Sequence, residues 1–384
     1  MTKARIVIIG AGNIGRSFIG QIFSRAGWEV VFADVNPVIV RRLNESGFYT
    51  VVIKEENRPD EERRVGPVRA IDGRDTGALC AAIAGADLIA VSVGAAALPA
   101  VLPVIAAALA ERYRQTPRRP LDIIIAENIR GAAEIFKSGL LESLGALSAS
   151  PDADGASALI ADFDRFTGLV ATSIGKMVPL MRAGDLAADP LRLFAEKYET
   201  LIVDRRGFRG PLPAIPEIDA VDPVAAYVDR KLFIHNLGHA AAAYLGYRAA
   251  SGLKGIAEVL ALGAVEEGTR AAMNEAADAL ALEYRDSFSR RDLAEYIDDL
   301  IARFKNAALG DTVFRVGRDL SRKLADGDRI AGAMKLCAKH GIPCPAIDRV
   351  YRAALGFYAA DENGKPFPGD ARFHREHRTK DLPT

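Results

Sequence analysis

The stretch Lys231-Leu-Phe-Ile-His-Asn236-Leu-Gly-His239 brings an amine, an amide and an imidazole close together in the chain. Asp222 and Pro223 just ahead of it suit an N-cap and a first helical turn. On an α-helix, Asn236 and His239 are neighbours. Lys231 stands about 7.5 Å below Asn236 along the axis and roughly 80° round from His239, a span its stem largely bridges. The three groups therefore share one broad face. A lysine half buried there has its pKa lowered toward neutrality. It takes the proton of an alcohol as hydride leaves carbon, and returns it in reduction. Asn236 can donate to the developing alkoxide, and His239 can orient the lysine or a substrate hydroxyl. Gly238 would let a ligand or backbone come close. No metal is needed. An amphipathic core helix with a few polar residues carries the same pattern.

Such chemistry needs a hydride carrier, and the other end of the chain offers a place for one. Gly10-Ala11-Gly12-Asn13-Ile14-Gly15 follows the apolar run Arg5–Ile9 and opens a helical pattern. Gly10 permits a tight turn, Gly12 lets a pyrophosphate reach backbone N–H groups, and Gly15 lets helix and strand pack. Asn13 and Ile14 complete the loop. Asp34, at the end of the next apolar run, can accept from both ribose hydroxyls and repel a 2′-phosphate, favouring NAD over NADP. Arg16 and Asn36 are the nearby residues able to accommodate such a phosphate. Ser92, Val93 and Gly94 end a later strand at the same edge, where the nicotinamide ribose would pass. Glu127 and Asn128 end another.

These loops must be held by regular elements. Arg5–Ile9, Glu29–Ala33, Leu88–Val93 and Asp122–Ala126 read as strands, with helices at Gly15–Ala26, after Asn36-Pro37, and between the last two strands. The alternation predicts an α/β doubly wound parallel sheet of Rossmann type. Phe48–Lys54 and Arg63–Ile71 read as an antiparallel insertion, Thr167–Ile174 and Glu199–Val203 as extra strands. The Pro-rich Gly210–Pro216 marks a boundary, so 1–215 is expected to bind the dinucleotide and 216–384 to form a mainly α-helical substrate and catalytic domain. The last packed pair of helices spans Ala331–Tyr358. The polar tail from Asp361 reads as loosely held.

Certain words are more specific than their spacing. They include Gly10-Ala-Gly-Asn-Ile-Gly-Arg-Ser-Phe-Ile-Gly20, Phe32-Ala-Asp-Val-Asn36, Glu127-Asn128 and Arg230-Lys-Leu-Phe233. Gly238-His239, Ala243-Tyr-Leu-Gly246, Arg315-Val-Gly-Arg318, Arg322-Lys-Leu324 and Gly327-Asp-Arg329 follow. Together with Lys231, Asn236 and His239, they resemble the polyol-specific long-chain dehydrogenase/reductase family over roughly residues 1–350. The resemblance implies an NAD-dependent enzyme interconverting mannitol 1-phosphate and fructose 6-phosphate, with Lys231 as acid/base. Asn128 would support the substrate alcohol beside that lysine. It also implies that Arg315 and Lys323 reach over the substrate, with Arg318 beside them. Arg315, Arg318 and Arg322 would share one helix face. The chain departs from the family pattern at Gly175-Lys176, where an acidic residue and an arginine are usual. Lys176 keeps the positive charge and hence an anionic substrate. Within the class, an unphosphorylated polyol or a hexuronate is the alternative. Outside it stands a catalytically weak NAD-binding protein that lost its activity with the acidic residue.

Composition narrows the partners. At 384 residues the chain suits about two domains. Lys+Arg and Asp+Glu both number 50, so no net charge recruits nucleic acid or a membrane. The expected partner is a small sugar alcohol or sugar phosphate, and the expected state a monomer or homodimer. Cys80, Cys337 and Cys344 are too few and odd in number for a disulfide framework, which points to the cytoplasm. The uncharged run Leu88–Ala110 is long enough to span a bilayer but splits into a strand, a turn and an Ala-rich helix. Cys337-x2-His340-x3-Cys344 imitates zinc-ligand spacing without a fourth ligand, so no metal is expected. Tyr227 and Lys231 have the Tyr-x3-Lys spacing of short-chain reductases but lie beyond the Pro-rich boundary.

Overall fold

The first strand, β1 (Arg5–Ile9), is apolar almost throughout because both of its faces are covered. Ile6 and Ile8 pack with Phe18, Phe23 and Phe32 on one side, Val7 and Ile9 with Leu79, Leu102 and Ile105 on the other. The computed structural model describes residues 3–115, 118–149, 155–179, 181 and 183–377. It divides into two units, Met1–Val224 and Ala225–Thr384.

In the first unit, β1 pairs in parallel with β2 (Glu29–Asp34). The strands β3 (Tyr49–Ile53) and β4 (Glu61–Val65) form the antiparallel insertion. They are followed by β5 (Val68–Asp72), β6 (Leu88–Val91), β7 (Leu121–Ile125), β8 (Thr167–Ser173), β9 (Leu193–Ala195), β10 (Leu201–Asp204) and β11 (Ile218–Val221). The main sheet has the order β11-β10-β8-β7-β6-β1-β2-β5. It is parallel from β5 to β8, and β10 turns antiparallel against β8. The strand order reverses between β1 and β6, the place where doubly wound sheets open a crevice at their carboxyl ends. The insertion differs from expectation in one respect. Arg63–Ile71 is two strands, since β5 leaves β4 and joins β2 in the main sheet, while β3 takes β9 as its second neighbour. The unit also runs past the Pro-rich stretch to Val224, because β11 pairs with β10.

Ala95–Arg114 is apolar and long enough to cross a membrane by length and composition. In the fold its helix, Leu98–Arg114, lays Leu98, Leu102, Ile105 and Leu109 on one face of the sheet.

Among the described residues, the second unit has helices and no sheet, only two isolated bridges. Leu237–Ala249 is its axis. Ala240, Ala241, Ala242, Ala243 and Tyr244 have no exposed surface at all. A helix buried on every side must be built of small residues if its neighbours are to reach it. A Cβ on Gly246 would meet Val259 Cβ at 2.5 Å, so the Ile256–Leu260 helix presses directly on the backbone there. Tyr244 donates its hydroxyl to Gly317 O at 2.8 Å, tying the axis to the Val313–Gly317 turn. The tail corrects the sequence reading. Pro368–His377 is a helix, with Phe373 buried and Asp370 accepting from Leu320 N at 2.7 Å and Asp319 N at 3.1 Å. A carboxylate on two backbone donors anchors a segment whose polar composition suggested none.

Candidate active site

The glycine loop of the first unit is shaped by close approach. Gly10 has φ +99°, open only to glycine at low cost, and a Cβ there would collide with Ser92 O. Gly15 admits no side chain because Gly10 O lies where its Cβ would be. Gly12, by contrast, has nothing within 4 Å of that position, so its backbone faces open space. Asn13 and Ile14 begin the helix that follows, whose next turn, Gly15–Gly20, is π-helical.

Asp34 stands at the carboxyl end of β2. One of its oxygens accepts from Ala11 N at 2.7 Å, the other from Asn36 N at 2.8 Å. Each oxygen keeps a further lone pair for a hydroxyl. Arg16 and Asn36, the residues suited to a 2′-phosphate, are committed elsewhere. Arg16 is buried and donates to Ala11 O at 2.6 Å and Leu191 O at 3.0 Å. Asn36 caps the Pro37–Ser46 helix through Val38 N at 3.0 Å. Ser92 donates to Gly10 O at 3.1 Å and so ties the ends of β1 and β6. Glu127 accepts from Val93 N at 2.7 Å and Gly94 N at 2.9 Å, and burial pushes its carboxyl upward. It shapes the Val93–Gly94 turn. Asn128 is exposed at the end of β7 and does not cap the next helix, whose N-cap is Gly131.

Lys176 departs from its expected place at a substrate. Its ammonium donates to Tyr198 O at 2.8 Å and lies 5.5 Å from the Phe18 ring centroid, with little exposed surface. Desolvation lowers its pKa to about 8.

In the second unit the continuous α-helix read from the sequence is interrupted. Val224–Arg230 is α-helical, Lys231–Asn236 is a π-turn, and Leu237–Ala249 resumes the α form. A π-turn closes i to i+5, so Lys231 and Asn236 stand in register one turn apart. The Lys231 amine has its pKa lowered to about 8, first by desolvation and then by the positive charge of Arg329. His239 stacks on Phe304 with ring centroids 4.7 Å apart and planes 8° from parallel. Its Nε2 lies 3.2 Å from Asp311 Oδ2. His235, one turn away, is buried, and burial drives its pKa well below the ordinary value. Gly238 does not open the site to a ligand. A Cβ there would meet Met273 Sδ at 2.5 Å, so the Gly263–Glu283 helix packs against it.

The basic run does not share a helix face. Val313–Gly317 ends at Arg318, Asp319 adopts φ +74°, and a new short helix spans Leu320–Lys323. Arg315 pairs with Asp311, Arg322 with Asp319, and Arg318 lies over the rings of Phe314 and Phe367. Lys323 is buried and donates to Val316 O and Arg318 O, the carbonyls left open at the end of Val313–Gly317. Its pKa falls to about 7, chiefly by desolvation and then through Arg329 and Arg322. Its observed role is therefore a helix C-cap.

A model of the mannitol dehydrogenase Rossmann domain matches residues 4–217, and one of the mannitol dehydrogenase C-terminal domain matches 223–383. The chain belongs to the mannitol dehydrogenase family. Similar relatives include mannitol-1-phosphate 5-dehydrogenase of Brevibacillus brevis, 36% identical over 91% of this chain and 85% of that one. The enzyme of the same name from Bacillus licheniformis is 35% identical over 92% and 88%. Pseudomonas fluorescens mannitol 2-dehydrogenase, solved as a ternary complex with NAD and D-mannitol, shares the fold. Its TM-score is 0.71 at 18% identity, covering 99% of this chain and 85% of that one. A substrate-free D-sorbitol dehydrogenase does so at 0.74 and 16%, covering 95% and 82%.

The mannitol dehydrogenase frame also shows what sequence reasoning missed. Asp311 and Arg329 carried no assigned role, yet one contacts His239 and Arg315 and the other adds to desolvation in lowering the pKa of Lys231 and Lys323. Gly327-Asp-Arg329 belonged to a shared word, which was the available signal for Arg329. Asp311 had none, because it belongs to none of the shared words and His239 is distant in sequence.

The packing at Gly238 is testable. Gly238→Ala should lower unfolding stability by about 1–3 kcal/mol through overpacking, and Met273→Ala in the same chain should recover part of it. Thermal or denaturant unfolding of the three proteins measures this. Unchanged stability with weakened substrate binding would restore the ligand-opening reading.

Proposed function

We propose that this protein is an NAD-dependent dehydrogenase that interconverts mannitol 1-phosphate and fructose 6-phosphate. The observation that carries the reading is near-full-length similarity to relatives of that name, at 33–36% identity. The residues fit the cofactor. Gly12 leaves its backbone open, Asp34 offers carboxylate oxygens to a ribose, and the apolar Val35 beside it is 64% exposed, a surface suited to an adenine. Asp34 repels a 2′-phosphate, and Arg16, donating to Ala11 O and Leu191 O, is engaged elsewhere, which favours NAD. When bound, NAD accepts the hydride that leaves the carbinol carbon.

The chain's own share is proton chemistry. Neutral Lys231 accepts the hydroxyl proton during oxidation, and its ammonium returns that proton to the ketone oxygen in reduction. Asn236, one π-turn away, donates to the oxygen as charge grows on it. His239 and Asn128 orient hydroxyls. Arg315 and Arg318, which retain exposed surface, receive the phosphate. A second reading has support too. Arg315, Arg322 and Lys323 all have internal partners, which weakens the anionic patch and favours an unphosphorylated polyol.

Rates of NADH formation with mannitol 1-phosphate, mannitol, sorbitol and hexuronates separate these. The phosphate ester should exceed mannitol by orders of magnitude in kcat/KM, with KM rising as salt screens the arginines. Equal efficiency moves the assignment to the plain polyol, and NADH binding without any turnover leaves only a binding protein.

Asp34→Ala should weaken NADH binding by about 1.5–3 kcal/mol and narrow the gap to NADPH, read by fluorescence titration. A wild type that already prefers NADPH refutes the role of Asp34. Lys231→Ala should lower turnover about 10²–10⁴-fold while NADH affinity stays. In the wild type, oxidation should rise with pH and level off above about 8, as the Lys231 amine loses its proton. Reduction, which needs the ammonium, should fall over the same range. A pH profile unchanged by Lys231→Ala would transfer the acid/base role to another group.

A further inference from the structure

Asp311 lies in a loop that the fold holds tightly. Gly310 ahead of it is left-handed, with φ +66°. The Asp311 carbonyl accepts from Ile256 N at 2.9 Å, and Val313 N donates to Lys254 O at 2.8 Å. Thr312 caps the next turn by accepting from Arg315 N at 3.1 Å. The side chain is 9% exposed and has two partners. Oδ2 faces His239 Nε2 at 3.2 Å, and Oδ1 pairs with the Arg315 guanidinium.

A carboxylate only accepts hydrogen bonds, so the imidazole nitrogen that faces it carries the proton. Asp311 Oδ2 is then the acceptor within reach of Nε2–H, at ion-pair distance but without hydrogen-bond alignment, and a proton on Nε2 leaves Nδ1 as the ring's acceptor nitrogen. Stacking on Phe304 fixes the plane of the ring, and Asp311 lies against its Nε2 edge. The same carboxylate holds one edge of the Arg315 fork, which has further N–H donors on its other edges. We propose that Asp311 is a positioning residue whose single buried carboxylate orients both His239 and Arg315, coupling alignment of the polyol hydroxyls to capture of the anionic end. The inference rests on the proposed polyol phosphate activity for its kinetic consequence, and on the geometry alone for its orientation of the ring.

Proton NMR of ¹⁵N-histidine protein tests the geometry without substrate. The chain has only 5 histidines, and His239→Gln identifies the signal. The wild type should show a downfield, exchange-protected His239 Nε2–H proton, absent from Asp311→Ala. Its absence from the wild type, or its persistence in the variant, overturns the proposal whatever the enzyme turns over. In kinetics, Asp311→Ala should lower kcat about 10-fold and raise KM for mannitol 1-phosphate about 10-fold, at unchanged NADH affinity. The kcat effect should vanish in a His239→Gln background and the KM effect in an Arg315→Ala background. Effects that simply add in both backgrounds make Asp311 a structural residue. If the alanine variant does not fold, the isosteric Asp311→Asn takes its place in the kinetic cycles and the wild-type spectrum decides the geometry. Failure of every sugar to react would defeat the proposed activity and leave the spectral result standing.

Discussion

The second unit is organised around a helix that has no outside. From Leu237 to Gly246 no residue is exposed, so the neighbours must come to the backbone itself, and alanines and glycines let them. The candidate site inherits that rigidity. Lys231 and Asn236 sit in the turn that leads into this helix and His239 in its first turn, while Tyr244 reaches across to the turn that carries Arg315. Groups fixed to a close-packed axis lose little freedom on meeting a substrate, which is the condition for precise proton transfer.

Four buried cations in this protein serve the backbone. Arg16 donates to Ala11 O and Leu191 O, Arg112 to Ala84 O and Ala86 O, Lys176 to Tyr198 O, and Lys323 to Val316 O and Arg318 O. A carbonyl stranded at the end of a helix or strand is costly to bury, and a long basic side chain is the most adaptable donor for it. Chain length and flexibility, rather than ligand charge, account for these four positions. At Lys231, desolvation first and then the positive charge of Arg329 make the neutral form accessible.

The sheet and the glycine loop were legible because their signals are local. Continuous apolar runs give buried parallel strands, and the glycine at Gly15 is demanded by Gly10 O in the same loop. The strand β5 was hidden because the chain changes sheets within one β-like stretch, Arg63–Ile71, and residue type does not reveal the partner. The π-turn was hidden because no residue announces an additional member in a helical turn. The broken helix after Arg315 turns on Asp319 adopting a left-handed backbone, secured from Asp370 far along the chain. Lys231, Asn236 and His239 were found by their letters and their spacing, but their geometry differs from the ideal helix that the spacing suggested.

That π-turn has a consequence for inheritance. It holds one residue more than an α-helical turn requires, so it stands as a stored insertion. Deleting any residue between Lys231 and Asn236 would let the backbone relax into ordinary α form and bring the two groups to i, i+4, out of the register that the π-turn gives them. Exposed loops tolerate changes of length. Here the count of residues shapes the candidate site as much as their identity does.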